Sequence, residues 1–489
     1  MKSLTRFLST CTLAIALFSC ENGGITDRPD ARLEFSTDTV LFDTVFTTIG
    51  STTRNFKIYN PYAQTIKVER IALAGDPLSP YRLNINGRSV NRMENVEILP
   101  HDSLFIFVEV TLDPSGLNNP LVVEDSVMFL TNGNDQAVKL IAFGQDVHLI
   151  NGEFISTRTW TNDKPYLVYN SMAIDTAQVL TIEPGVRIHF HRRSSLIVFG
   201  TLKVNGTVEE PVTFQGDRLE KLYENLPGQW GSWIQYDNGS AYLLGGIHIT
   251  PPSRDNVINH AIIKNAIKGI QVDTLSSTDR PVLTITNSRI ENMTVAGIYA
   301  QSSTIFAANC LIANCGSWCV ALTLGGSYEF YHCTLSNNYG SWYSTSARSE
   351  PTVLLNNFFV YQGTAYVYNL YNALFANCII TGSRPMEIGL VNTINKQPVP
   401  GQFNYVFDHC LVKVDTMNTS NAERWINIVK NQDPRFVSVF NRDYQLDTIS
   451  PARDKGKAEY AGFFPLDLKG RNRLADGKPD IGAYEFGEQ

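Results

Sequence analysis

The chain has 489 residues, a formal net charge of −7, 11% aromatic residues and 22 prolines. That length suits about three domains, and the aromatic content excludes a disordered or low-complexity chain. The acidic balance, with "HRR" from His191 to Arg193 as its one basic run, excludes an extended nucleic-acid-binding face.

The N-terminus carries Lys2 and Arg6, an apolar run from Phe7 to Phe18, and then "LFSC" ending at Cys20. A short basic region followed by an apolar stretch too short to span a bilayer has the form of a secretory signal. The last four residues resemble the lipobox of bacterial lipoproteins. That resemblance implies cleavage before Cys20, lipidation at Cys20, and anchoring in the outer membrane, facing the cell surface or otherwise the periplasm. Loss of Lys2 and Arg6 with the leader makes the mature chain two units more acidic. Residues 1–20 are the leader and lipobox, and residues 21–32 a polar linker.

From residue 33 to 147 the chain alternates. "NFKIYN" at Asn55, "IKVERIAL" at Ile66, "LFIFVEVTL" at Leu104, "DSVMFLTNG" at Asp125 and "AVKLIAFGQD" at Ala137 are of strand length with period-two apolar positions, and turn residues separate them. Short strands at regular spacing predict a β-sandwich. The succession "YNP", "ILPHDSLFIFVEV" and "LTNGNDQAVKLIAFGQD" resembles immunoglobulin-like domains of the abnormal-spindle/hydin type, which implies a spacer or adhesive module.

Residues 148–432 repeat. "NHAIIKNAIKGI" at Asn259, "TNSRIENMTVAGI" at Thr286, "ANCLIANCGSW" at Ala308, "YHCTLSNNYGSW" at Tyr331, "LNNFFVYQGTA" at Leu355, "ANCIITGS" at Ala376 and "DHCLVKVD" at Asp408 place Ala261, Ser288, Cys310, Cys333, Asn357, Cys378 and Cys410 in one column. Intervals of 21 to 32 residues between these positions mark a solenoid. Short strands with Asn-rich turns in each period predict a parallel β-helix, in which equivalent side chains stack at about 4.8 Å. Asn265, Asn292, Asn314 and Asn337 form a second column, suited to amides that donate and accept along the axis. The cysteines are thereby rungs of a scaffold. Their C-x4-C-x3-C spacing is not that of a zinc site, so no metal and no cofactor is expected. Export permits oxidation, and Cys310 with Cys333, or Cys315 with Cys319, are within reach of a disulfide.

Upstream, "VLTIEPGVRIHFHRRSSLIVFGTLKVNGTVEEPVTFQGD" from Val179 puts Val186, Ile188 and Phe190 on one face, and Arg187, His189 and His191 on an outward polar stripe. This succession is similar to the entry rungs of exported bacterial β-helix proteins. The tail, residues 433–489, ends in "DIGAYE" from Asp480 and resembles the closing segment of such proteins in Bacteroidetes-like lipoproteins. An open solenoid end needs covering, so the tail is expected to act as a C-terminal cap, with Arg471 and Arg473 pairing to Asp480 and Glu485. The predicted fold is all-β: an immunoglobulin-like sandwich, then a right-handed parallel β-helix of the pectate-lyase-like kind, then the cap.

Such coils often bind or cleave polysaccharide, an argument by fold analogy. Catalysis would require a base with a cation, or two facing carboxyl groups. The central rungs supply only Arg289, Glu329 and His332 as catalytic candidates, with Arg348, Glu350, Arg384 and Glu387 in turns and nothing in the sequence to pair them. They are richer in rings. Tyr299, Trp318, Tyr339, Trp342 and Tyr343 fall at similar points of successive coils and could stack on sugars. The reading is a membrane-anchored lipoprotein that binds a polysaccharide or cell-surface glycan, through Tyr299, Trp318, Trp342 and Tyr343, with no nucleic-acid partner. The alternatives are a polysaccharide lyase or glycosidase, and a non-catalytic structural or adhesive protein.

Overall fold

The computed structural model describes residues 24–47, 49–114, 121–235, 241–273, 280–338 and 348–487. Cys20, Tyr339, Trp342 and Tyr343 lie outside them. The chain divides between Val147 and His148 into two compact units.

Among the described residues of the first unit, two five-stranded sheets enclose one core. One sheet is centred on Ser103–Val110, the other on Leu121–Thr131 and Asn134–Gln145. Alternation in the sequence becomes alternation in space: in Ser103–Val110 the inward Leu104, Ile106, Val108 and Val110 are buried, and Phe105 and Phe107 face out. The strand Thr39–Phe46 joins its sheet parallel to Asn134–Gln145, whereas the other strand-to-strand pairings described in the unit are antiparallel.

Among the described residues the second unit forms a parallel coil of 26 strands. Three inward columns run its length. On the first face Val204, Ile258, Ile285, Ala307, Phe330, Phe375, Phe407 and Trp425 stack in register. On the second face the column is Ile188, Phe214, Ile263, Ile290, Ile312, Leu335, Ile380 and Val412. The third carries Val198, Ile249, Val272, Ala300, Leu322, Leu355 and Leu390. All but the partly buried Leu390 are buried in one core, so each strand exchanges water for copies of itself above and below.

The corner between the first and second faces is made by one residue per coil: His260, Asn287, Asn309, His332, Asn377 and His409, with φ between 47° and 52°. That left-handed conformation favours Asn and tolerates His far better than branched side chains. The next residue is Ala261, Ser288, Cys310, Cys333, Cys378 or Cys410. Ser288 Oγ donates to the carbonyl of Thr286 at 2.7 Å, and Cys310, Cys333 and Cys378 Sγ donate to the equivalent carbonyls at 3.3 Å. The thiols do what the serine does one coil earlier. All six described cysteines are buried free thiols, and burial pushes the thiols of Cys310, Cys319, Cys333 and Cys378 well up; neither contemplated disulfide is present.

Asn357 does not belong to this column. Thr334 pairs directly with Ile379, so Cys378 follows Cys333, and Val353–Asn356 pairs with the third-face strand Ile388–Val391. The coil between them is lengthened by a hairpin, Phe358–Tyr361 with Thr364–Val367. Its two-residue turn has φ of 48° at Gln362 and 78° at Gly363, the arrangement whose twist matches an antiparallel pair.

Residues 433–487, expected as a terminal cap, pack on the side of the coil. They run back along the outside of the second face. Tyr444, Leu468, Ala483 and Tyr484 cover Leu311 and Ala313, and Leu446, Ala452 and Ile481 cover Ile379 and Leu411. The "DIGAYE" segment explains itself in contacts. Asp480 accepts from the backbone of Asp454 and Phe486 at 2.8 and 2.6 Å, and Ala483 N donates to Thr334 at 2.9 Å. Gly482 has φ of 107°, and a Cβ there would lie 2.8 Å from Ile379 and Thr334. Arg473, fully buried, reaches Glu485 at 3.5 Å and Asn309 at 3.1 Å, while Arg471 bonds the backbone carbonyl of Glu485 at 2.9 Å. The expected pairing of Arg471 to a carboxylate is therefore replaced by a backbone contact.

Burial, with Asp480 adding to it, pushes Glu485 from 4.5 up to about 8. A carboxyl whose folded pKa is raised lends stability that is full below about 4.5 and lost as pH rises through about 8. The midpoint of thermal unfolding is therefore expected to fall between pH 5 and pH 8.5, and Glu485→Gln to flatten that fall; an unaltered slope in the variant would refute this role.

Candidate functional site

The three catalytic candidates do not converge. Arg289 is on the outer side of the second face, bonded to Glu291 at 2.8 Å. Glu329 is on the first face and accepts from the Tyr331 hydroxyl at 3.2 Å. His332 is the fully buried corner residue between those faces. Its Nε2 meets Asn377 at 3.1 Å, and burial together with Arg473 holds its pKa well below the usual value. Of the turn residues, Arg348 and Glu387 are internal, while Glu350 and Arg384 are partly exposed. Glu387 receives Arg348 at 2.6 Å, both side chains being wholly shielded, along with the Thr352 hydroxyl and the Arg384 backbone. Arg348 and Glu387 thus form a lock inside the coil instead of reaching a groove.

The polar stripe on the entry rungs is interrupted too. Arg187 is exposed, but His189 is buried against Gln215 and the Gly216 carbonyl, and burial pushes its pKa down to about 4. His191 stacks on Tyr169 with ring centroids 4.0 Å apart and bonds Asp217 at 2.6 Å.

The outer side of the third face gathers a different set. His248 bonds Asp273 at 2.9 Å, Gln271 donates to the same carboxylate oxygen at 2.6 Å, and Lys268 donates to Gln271 at 2.9 Å. The Lys268 ammonium also lies 4.4 Å from the centre of the Tyr299 ring, close enough for a cation–π contact. Burial lowers its pKa to about 8, with Asp273 opposing. Tyr299 and Trp318 sit on adjacent coils with centroids 6.4 Å apart. Both are half-buried, and Lys268 covers one side of Tyr299, so neither ring is a bare platform.

The neighbouring hairpin carries more open rings. Phe359, Tyr361 and Tyr366 are 39%, 58% and 44% exposed, and Phe359 stacks on Tyr366 at 5.0 Å and 11°. Between hairpin and coil is a hollow of about 480 Å³ lined by Tyr299, Gln301, Thr323, Leu324, Asn356, Phe358 and Phe359. Amide and hydroxyl groups thus lie beside flat apolar rings, a combination that holds a ring-shaped polar ligand on its face and at its rim. Sequence reasoning took the hairpin as a rung. The signal that finds it is "FFVYQGTAYV", alternating aromatics about a Gln-Gly turn. Among the described residues no group of His, Cys, Asp and Glu is placed to hold a metal ion, and no helix is long and apolar enough to cross a membrane.

Residues 245–397 match the family described as right handed beta helix region. This span runs from the third-face strand of His248 through the hairpin. No curated protein matches the chain. Among solved structures, a protein of unknown function from Porphyromonas gingivalis shares 12% identity over 26% of this chain and 50% of its own, with a TM-score of 0.18. The ASH/PapD-like domain of human CEP192 shares 11% over 25% of this chain and 89% of its own, with a TM-score of 0.17. A family 123 glycoside hydrolase from Clostridium perfringens shares 5% over 27% of this chain and 30% of its own, with a TM-score of 0.18. The chain thus spans half of the first and under a third of the last, and such TM-scores say nothing about what it does.

Proposed function

We propose that the protein is an envelope lipoprotein, anchored through Cys20 in the outer membrane, whose coil binds polysaccharide along its third face. The carrying observation is the pair of exposed, stacked hairpin rings beside a hollow to which Tyr299, Gln301, Thr323 and Asn356 contribute polar groups. The parallel coil supplies the rest, because its strands repeat along one axis as sugar units do along a chain. The N-terminal sandwich serves as the spacer between anchor and coil.

The test is a glycan array probed with the mature chain from Glu21, with new reducing ends and unsaturated uronates followed in parallel. Binding that weakens about tenfold in Phe359→Ala/Tyr366→Ala is the expected result. Retention of full binding by that variant would remove the hairpin from the site. A lyase or glycosidase is the second reading, favoured by the lowered pKa of Lys268 beside Tyr299. It predicts products, and their loss in Lys268→Met. Silence in both channels would leave the structural or adhesive role.

A further inference from the structure

We propose that a second site, on the outer side of the second face, takes an acidic sugar: a ring whose carboxylate or sulfate is held by Lys264 and Lys469. The site lies where residues 433–487 run beside the coil, and the proposal stands independently of the hairpin. A cavity of about 410 Å³ is lined there by Lys264, Arg289, Glu291, Arg442, Asp443 and Lys469. It adjoins a smaller hollow of about 180 Å³ that shares Ile262, Arg289, Lys469 and Tyr484 with it and adds Val208, Pro211 and Leu468.

The charges are not equally committed. Glu291 Oε2 is held by Arg289 at 2.8 Å, and Asp443 accepts from the backbone and side chain of Gln445 at 3.1 Å. Glu224 stands exposed at the rim. The ammonium groups of Lys264 and Lys469, by contrast, have no hydrogen bond or ion pair among the described residues. Lys264 is half-buried, and burial lowers its pKa while Glu224 and Glu291 oppose. An ammonium stripped of water gains most from an anion placed against it.

A second atom points the same way. Glu291 Oε1 is buried and has no hydrogen-bond partner among the described residues. Beside two uncommitted cations stands one uncommitted acceptor, so the complementary ligand carries an anionic group and a hydroxyl donor on one small frame. The apolar Val208, Pro211 and Leu468, with Tyr484, provide a wall for the carbon skeleton. Inorganic sulfate alone would meet the cations and leave both the acceptor and the wall unused.

Calorimetric titration of the mature chain with glucuronate, glucose 6-sulfate and glucose tests this. Both anions are expected to bind, glucose about tenfold or more weakly, and Lys264→Met and Lys469→Met each to weaken the anions about tenfold. Lys469 is exposed, so its variant separates loss of a contact from loss of folding. Phe359→Ala/Tyr366→Ala should leave these affinities unchanged even if the array is silent. Absence of binding by both anions, parity of glucose with glucuronate, or binding indifferent to both lysine variants would overturn the proposal.

Discussion

Glu387→Ala is expected to destabilise the coil by about 3–5 kcal/mol, because it strands the buried Arg348 guanidinium without its counter-charge. Both side chains of the pair are wholly shielded, so water cannot take the carboxylate's place. The same carboxylate also accepts from Thr352 N at 2.9 Å, from its hydroxyl at 2.7 Å and from Arg384 N at 2.7 Å. Arg348 in turn donates to the Asn337 carbonyl at 3.1 Å. The pair therefore fastens the lengthened coil that carries the hairpin. Arg348→Met/Glu387→Met should recover most of the loss, since replacing both partners removes the stranded charge. Urea denaturation followed by near-ultraviolet circular dichroism checks both; a Glu387→Ala midpoint equal to wild type would show that the pair is not the lock described.

The second large effect is expected at Phe375→Ala, again about 3–5 kcal/mol. Phe375 is fully buried between Phe330 at 4.9 Å and Phe407 at 5.1 Å, with interplanar angles of 9° and 13°, and the stack continues to Trp425 at 4.6 Å. Rigid strands at fixed spacing cannot collapse into the space left, which puts the cost near the top of the range for such truncations. In a solenoid each coil touches only its neighbours. Hydrogen exchange should accordingly accelerate in Leu370–Ala376 and the coils on either side, leaving the first unit protected. Uniform acceleration across both units would contradict a locally supported coil.

Much of this architecture is written in local chemistry. A corner that holds one residue per coil at φ near 50° admits few side chains, so the Asn and His column shows through in the sequence. Cysteine in the next position is readable as scaffold for the same reason that Ser288 is: a small side chain bonding the carbonyl two residues back. Asn357 misleads because "LNNFF" copies the corner's local wording, and only strand pairing reveals that the chain is then on the third face. The course of residues 433–487 was hidden for a different reason. Leu311, Ile379 and Leu411 are apolar and outward-facing, but in strands apolar on both sides the period-two signal vanishes. The ring candidates divide along similar lines. Tyr299 and Trp318 do share a face on adjacent coils, yet their burial depends on Lys268 and neighbouring strands, whereas Phe359, Tyr361 and Tyr366, which are more exposed, sit on an insertion that repeat alignment absorbs. Pairs such as His248 with Asp273 and Arg348 with Glu387 are made by stacking coils 25 and 39 residues apart, a distance at which no motif records them.

The central claim is that the hairpin and the hollow beneath it form a sugar-binding face. Its most direct test is calorimetric titration of the strongest oligosaccharide from the array into the mature chain and into Phe359→Ala/Tyr366→Ala. Each stacked ring contributes about 0.5–1.5 kcal/mol, so the double variant is predicted to bind about tenfold more weakly while its unfolding midpoint stays where it was. Equal affinity in the two proteins would contradict the account.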